Sequence, residues 1–489
     1  MNHDIKDSLN ALFHPKNLAI YEASDKLWYF MMGLEQLNYD KNKLYLINPS
    51  EEEIFNLKCY KSLDDVPDNI IDLLILAVGR HRLAESLKKL LSQKSIKAIH
   101  IFTAGTGESD NQGAEIEKEV YNLLKTSSDS TRAIGPNCMG VYSAKGHLAY
   151  EPLFPKEPGN ISLVFQSGDL HSQTIRLGSE RHGLRFSKGV SIGNCVDLQI
   201  SDFLEYYNND IDTDMVLVYY EGINSLHPNE GKRLFKTLKE MKKPVLFMNG
   251  GMTKRAQTAV LTHTGSISTN QKIWEGIFKQ TPVIQVPTSL DDMLDYTYLF
   301  YEVIKRFKNN KKEVKYPKGK NVLTILWSGG FGIIATNTLT ELGLNVPYFQ
   351  GETLEKLRKI YPVKIGSLSN PLDLPWISFS DKYLEVALAA ISEEMDLVMI
   401  LTDAWDDFEG ERFNTYYNNL LKIRDHTESL NNIFILILPE YPARRRKRFM
   451  NRLMNDGFII FPSIRRAAKA FLALYEYGRK SEALNGKKS

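Results

Sequence analysis

The sequence predicts an α/β protein built on parallel sheets, and three observations predict it. Short runs recur that are apolar throughout rather than alternating, the pattern of strands buried on both faces. Amphipathic stretches of helical period, such as Arg82–Leu91, separate these runs. Most runs are followed within three residues by Gly, Asn or Ser, the residues that turn a strand into the next helix. Repeated strand–helix order implies right-handed crossovers and doubly wound sheets. At ~150 residues per domain, the 489-residue chain has room for about three such units.

The first unit, expected over 1–150, carries the runs Leu18–Tyr21, Leu44–Ile47, Leu73–Val78 and Ala98–Phe102. A Pro/Gly-rich stretch from Pro152 to Gly159 then leads to a second unit, expected over 155–304. Its runs are Ile161–Phe165, Met215–Tyr220 and Val245–Met248. Lys305–Lys320 holds eight Lys or Arg against one Glu, together with Pro317 and Gly319, and reads as a solvated linker. The third unit, 321–478, has the runs Val322–Leu326, Leu397–Leu401 and Ile433–Leu438. The polar tail 479–489 is expected to fray.

Composition narrows the function. Sixty-one basic and 59 acidic side chains leave a net charge of +2, which argues against a nucleic-acid surface over the whole protein. The three cysteines, Cys59, Cys138 and Cys195, show no metal-ligand or disulfide spacing, so no metal site is expected and a reducing compartment fits. The first residues lack the apolar core of a signal peptide, and no run approaches the ~18 apolar residues of a membrane helix. The expectation is a soluble, cytoplasmic protein without a membrane partner.

In open parallel sheets ligands bind beyond the carboxyl ends of the strands, so the turns after the runs carry the chemistry. Gln166-Ser167-Gly168-Asp169 follows a strand and opens a helix, where free N–H groups attract anions; an ordinary N-cap is the plainer reading. Ser191-Ile192-Gly193-Asn194 is a second turn of this kind. Glu221, directly after Met215–Tyr220, stands where a carboxylate can orient an imidazole. Leu261-Thr262-His263-Thr264-Gly265-Ser266 places a histidine among small neighbours, so a phosphate can approach a ring that is nucleophilic near neutral pH; a solvent-exposed or capping histidine is the plainer reading of this segment alone. Gly135-Pro136-Asn137-Cys138-Met139-Gly140 is a compact turn. Without a histidine in that motif, Cys138 reads as a packing or binding residue rather than a nucleophile.

Each signal is weak alone, but their order resembles that of the α subunit of ADP-forming (NDP-forming) acyl-CoA synthetases, relatives of succinyl-CoA synthetase. Phe13–Ile20, Ile47-Asn48-Pro49, Phe102–Glu108 and the 135–140 turn resemble that family's CoA-binding domain. The Gln166-Ser167-Gly168 turn, Ser191–Asn194, Tyr220-Glu221-Gly222 and Thr262–Gly265 resemble its second domain. Ser328–Gly332 and Asn370–Leu374 resemble its third. The resemblance implies a Rossmann-like CoA-binding domain followed by two flavodoxin-like domains of the succinyl-CoA synthetase type. It implies that His263 carries a phosphoryl group between an acyl phosphate and ADP, and that Glu221 orients it. Ser167, Gly168, Gly193, Asn194, Thr264 and Gly265 would bind phosphate or the acyl group; Ser24, Asn48, Pro49, Gly105, Asn137 and Cys138 would bind CoA. In that family the nucleotide (ATP or ADP) and Mg²⁺ sit on an ATP-grasp unit, either in a separate β subunit or fused. This chain shows no Gly-x-x-x-x-Gly-Lys-Ser/Thr motif, and the resemblance implies an ATP-grasp β subunit as its partner, in an α2β2 assembly.

Three positions depart from the family. Glu22 stands where glycine is usual in a turn that approaches CoA, and its carboxylate opposes a pyrophosphate. Val78-Gly79-Arg80-His81 replaces a Val-Pro-Ala pattern, with Arg80 a candidate for the lost phosphate contact. Asn249 replaces a lysine. A non-catalytic CoA- or nucleotide-sensing protein is therefore the competing expectation. A dehydrogenase is not, because Tyr21-Glu22-Ala23-Ser24 lacks the Gly-x-Gly-x-x-Gly fingerprint.

Overall fold

The computed structural model describes residues 3–127, 131–256, 271–362, 365–375, 377–392, 394–403, 410–440 and 443–485. It divides into two compact units, Met1–Tyr298 and Leu299–Ser489.

The first unit holds two sheets. In the first, the run Leu18–Tyr21 forms β1, Leu44–Ile47 β2, Glu53–Ile54 β3, Leu57–Tyr60 β4, Ile70–Leu76 β5, Ser95–Ile101 β6 and Arg132–Ile134 β7. Their order is β3-β4-β2-β1-β5-β6-β7, parallel except for the β3–β4 hairpin. Ile20 pairs with Leu46 on one side and Ile75 on the other, so the order reverses between β1 and β5. That reversal opens a crevice at the carboxyl ends of these strands.

The second sheet contains β8 (Val141–Ser143), β9 (Ile161–Phe165), β10 (Phe186–Ser191), β11 (Met215–Tyr220), β12 (Val245–Asn249) and β13 (Ile284–Gln285). Its order is β13-β12-β11-β9-β10-β8, with only β8 antiparallel. The strands β9, β11 and β12 are buried along their whole length or nearly so, as their unbroken apolar character requires.

The expected boundary near residue 150 is corrected here. β8 lies before it yet hydrogen-bonds into the second sheet. The helix His3–Phe13 ends on Phe13, whose ring packs against Phe203, Tyr206 and Tyr207 of the helix Ile200–Asn209. One continuous apolar core therefore serves both sheets, and burying these aromatics together joins them in a single unit.

The second unit has its own core and a five-stranded parallel sheet. The strands β14 (Val322–Leu326), β15 (Leu372–Asp373), β16 (Leu397–Leu401), β17 (Ile433–Ile437) and β18 (Ile460–Phe461) take the order β15-β14-β16-β17-β18. Asn370 fixes its edge: its amide donates to the Val322 carbonyl at 2.7 Å and accepts from the Thr324 N–H at 3.2 Å.

Two further expectations fail at the ends of this unit. The linker begins later than residue 305, because a helix covers Leu290–Asn309 and places Arg306 and Lys308 in its last turn, where the helix dipole favours cations. The tail does not fray at Gly478, because the final helix runs Ile464–Asn485. Gly478 lies inside that helix because a side chain there would meet Tyr316, 2.5 Å from its Cβ. Among the described residues no helix is long and apolar enough to cross a membrane.

Candidate active site

A cavity of about 700 Å³ in the first unit is lined by the turns that follow six strands. The ends of β1, β5 and β6 supply one wall; the 137–139 turn, the 166–169 turn after β9 and Gly193-Asn194 after β10 supply the other. Of the sequence-predicted residues, Ser24, Asn137, Cys138, Ser167, Gly168, Gly193 and Asn194 meet here.

The 166–169 turn is shaped for an anion. Ser167 caps the helix Gly168–His182, its Oγ accepting the Leu170 N–H at 3.3 Å. A hydroxyl that accepts in this way keeps its own hydrogen to donate. No side chain fits at Gly168, since a Cβ would lie 2.3 Å from Met139 Cγ, so the backbone itself borders the cavity. The plain N-cap and the anion-binding reading thus coexist in one residue.

Glu221 stands one layer behind this turn. Gln166, which lines the cavity, accepts the Glu221 N–H at 2.5 Å and the Gly222 N–H at 3.1 Å through Oε1, and donates to the Gly222 carbonyl at 3.1 Å. The Tyr219 hydroxyl donates to Glu221 Oε1 at 3.0 Å; burial and that carboxylate raise the Tyr219 pKa, so the phenol keeps its proton. Glu221 is buried, with its carboxylate bonded by Tyr219 and its backbone by Gln166. Gln166 is a positioning residue absent from the sequence-based site; its signal is a lone amide just before Ser-Gly, which no spacing rule singles out. His263, Thr264 and Gly265 lie outside the described residues.

Gly193 and Asn194 close the site from β10. Gly193 takes a φ of +56°, and a Cβ there would meet the Pro136 carbonyl oxygen at 2.2 Å, so only glycine lets the two turns press together. The Asn194 side chain turns away into a buried cluster. Its amide donates to Glu108 Oε2 and Glu117 Oε1, both at 2.6 Å, and to Thr106 Oγ1 at 3.1 Å. Thr106 Oγ1 also lies 2.9 Å from each carboxylate. Burial raises the Glu117 pKa, whereas at Glu108 burial is outweighed by the bonds from the Asn194 amide, the Gly105 backbone N–H and the Thr106 hydroxyl, which hold it low. Asn194 couples the two sheets' loops, and it is the Gly193 backbone and the adjoining turn that face the cavity.

The CoA-side expectations divide. Cys138 is buried, with its Sγ 3.5 Å from the Ile101 carbonyl, and burial lifts its thiol well above the ordinary value. It is a packing thiol, as its sequence context indicates. Asn48 spans the turn after β2, donating to Ala23 O at 2.9 Å and accepting from the Ser50 N–H at 2.8 Å. Asn48, Pro49 and Gly105 are outside the cavity wall. Arg80 is not a spare phosphate ligand, because it bonds Asp110 at 2.8 Å and the Gly105 carbonyl at 2.9 Å. Glu22 instead pairs with Arg82. Apolar side chains the sequence reading missed, among them Tyr29, Phe30 and Tyr150, join Phe102 in the remaining wall, with Lys26 as a cation in it. An apolar floor with a polar rim fits the pantetheine arm of CoA.

Known proteins match this arrangement. Residues 26–144 match a CoA binding domain, and 158–300 match a succinyl-CoA ligase like flavodoxin domain. The α subunit of acetate–CoA ligase (ADP-forming) I of Pyrococcus furiosus is 29% identical over 96% of this chain and 98% of its own length. The acetate–CoA ligase (ADP-forming) of Methanocaldococcus jannaschii is 33% identical over 75% of this chain, which spans only 49% of that relative. In structure, a dinucleotide-forming acetyl-coenzyme A synthetase 1 from Candidatus Korarchaeum cryptofilum, solved with phosphate and ADP, superposes with a TM-score of 0.77 at 24% identity, covering 98% of this chain and 99% of its own. That likeness fixes the fold.

Proposed function

The chain belongs to the ADP-forming acyl-CoA synthetases as their α-type part, and from that premise we propose that it interconverts acyl-CoA, ADP and phosphate with acid, CoA and ATP. Phosphate attacks the thioester carbonyl, and the C–S bond breaks to leave an acyl phosphate and CoA thiolate. The His263 imidazole then takes the phosphoryl group, releasing the carboxylate, and passes it to ADP. Splitting the transfer in this way replaces one difficult step with two positioned ones.

The observation that carries this reading is the Gln166-Ser167-Gly168 turn, which offers an anion-binding helix N-terminus at the cavity wall and holds Glu221 behind it. The Ser167 hydroxyl and the first N–H groups of the helix bind the phosphoryl oxygens. Glu221 accepts the ring N–H of His263, fixes its tautomer and stabilises the charge that develops on phosphorylation. An ATP-grasp partner supplies the nucleotide and Mg²⁺ site, as the α-subunit relatives and the longer single-chain relative both suggest.

ATP formation from acetyl-CoA, phosphate and ADP tests the reading. The chain mixed with an ATP-grasp partner should turn over and the chain alone should not. Turnover by the isolated chain, or none with any partner and acyl-CoA, contradicts it.

A further inference from the structure

The first βα turn of a doubly wound sheet is where a phosphate-bearing ligand meets the protein, because the strand order reverses there and the next helix points its free N–H groups outward. In this chain that turn holds a carboxylate. Glu22 follows β1 in the left-handed region, with a φ of 57°, a conformation glycine adopts without strain and glutamate does not. It lines the cavity beside Ser24 and Lys26.

The carboxylate is bound from across the crevice. Arg82, in the turn Arg80–Arg82 beyond β5, donates through Nη1 and Nη2 to the two Glu22 oxygens at 2.5 and 2.6 Å. This fork-to-fork pair spans the two strands, β1 and β5, between which the order reverses. Arg82 remains 58% exposed and Glu22 22%, so the pair is open to solvent and to an incoming anion. Water and salt screen such a pair, and its partners exchange readily. A phosphate offers the guanidinium the same bidentate geometry as a carboxylate, with more charge. Arg80, the neighbouring guanidinium, is occupied by Asp110 and cannot take this place.

We propose that Glu22 and Arg82 are a specificity-determining pair: a thiol cofactor that bears phosphate binds by displacing Glu22 from Arg82, so Glu22 competes with the phosphates and Arg82 rewards them. The proposal rests on the reading that this cavity binds CoA. Its consequence is selective. The pair sets the affinity for the phosphate-bearing part of CoA and leaves the pantetheine arm, which lies against the apolar wall, unaffected.

Calorimetric titration of the full chain with CoA and with pantetheine, which carries no phosphate, reads this directly. Glu22→Gln and Glu22→Gly should bind CoA about tenfold more tightly than the parent, and Arg82→Gln about tenfold more weakly. Pantetheine affinity should be the same in all four proteins, and added salt should narrow the spread for CoA. Glu22→Gln keeps the shape of the side chain and Glu22→Gly suits the turn, so neither change threatens the fold. Unaltered CoA affinity in both Glu22 variants, or parallel changes for CoA and pantetheine, overturns the proposal. Absence of CoA binding in the parent and every variant is a different result, which overturns the CoA reading along with it.

Discussion

Two turns of the first unit occupy equivalent places, each at the carboxyl end of a strand and each opening toward a helix, yet they are built oppositely. After β9, Ser167, Gly168 and Asp169 line the cavity, with the Ser167 hydroxyl capping the helix and Gln166 binding the backbone N–H of Glu221 behind them. After β1, a carboxylate stands in the turn itself and is neutralised from across the crevice by Arg82. The same architecture thus makes one turn a helix cap and the other the seat of a carboxylate–guanidinium pair. The partners that set each arrangement lie 55 and 60 residues away in sequence.

The comparison can be broken most severely on the phosphate side. Glu221→Gln preserves an acceptor for Tyr219 but removes the charge that we propose orients and stabilises His263. Turnover with the ATP-grasp partner should fall about a thousandfold while the melting temperature stays near the parent's. A loss below about threefold makes Glu221 a structural residue only.

The meeting of the two domains' turns is the next target. Gly193→Ala forces a Cβ to within 2.2 Å of the Pro136 carbonyl oxygen at a positive φ. Chemical denaturation should show a loss of about 3 kcal/mol. Near-parental stability would mean that the 135–140 turn yields without cost.

A third test uses pH. Glu230 is buried against Ser201, and burial lifts its carboxyl from 4.5 to about 7. Between these values the folded chain holds a proton that the unfolded chain releases, so stability falls as pH rises from about 4.5 to 7 and flattens above. The change is about 3 kcal/mol, and Glu230→Gln should remove it from the denaturation profile. A variant with the parent's slope assigns the dependence to other groups, Glu117 first. The smallest effect is the roughly tenfold gain in CoA affinity on neutralising Glu22, which would remove the carboxylate–guanidinium pair from the turn after β1.

Much of this was legible in the sequence, for a physical reason. Parallel strands buried on both faces have no polar alternation, so Leu18–Tyr21, Ile161–Phe165, Met215–Tyr220, Val322–Leu326 and Leu397–Leu401 could be read to their ends. β8 was not legible, because a three-residue antiparallel edge carries no periodicity and gains its partner from β10. Gly478 misled because close packing against Tyr316, rather than a helix stop, selects glycine there. At the site, Ser167 and Glu221 were visible as turn residues after apolar runs. The bond from Gln166 to the Glu221 backbone, the raised Glu117 and the Arg82 partner of Glu22 depend on contacts between distant segments, and spacing along the chain does not encode those contacts.

The central claim is that His263 carries phosphate, and labelling tests it most directly. The chain incubated with an ATP-grasp partner, Mg²⁺ and γ-labelled ATP should acquire a label that survives base and is lost in acid. It should map to the peptide containing His263, be discharged by ADP, and be absent from His263→Ala. A label that persists in His263→Ala, or a parent that turns over without ever being labelled, contradicts the account.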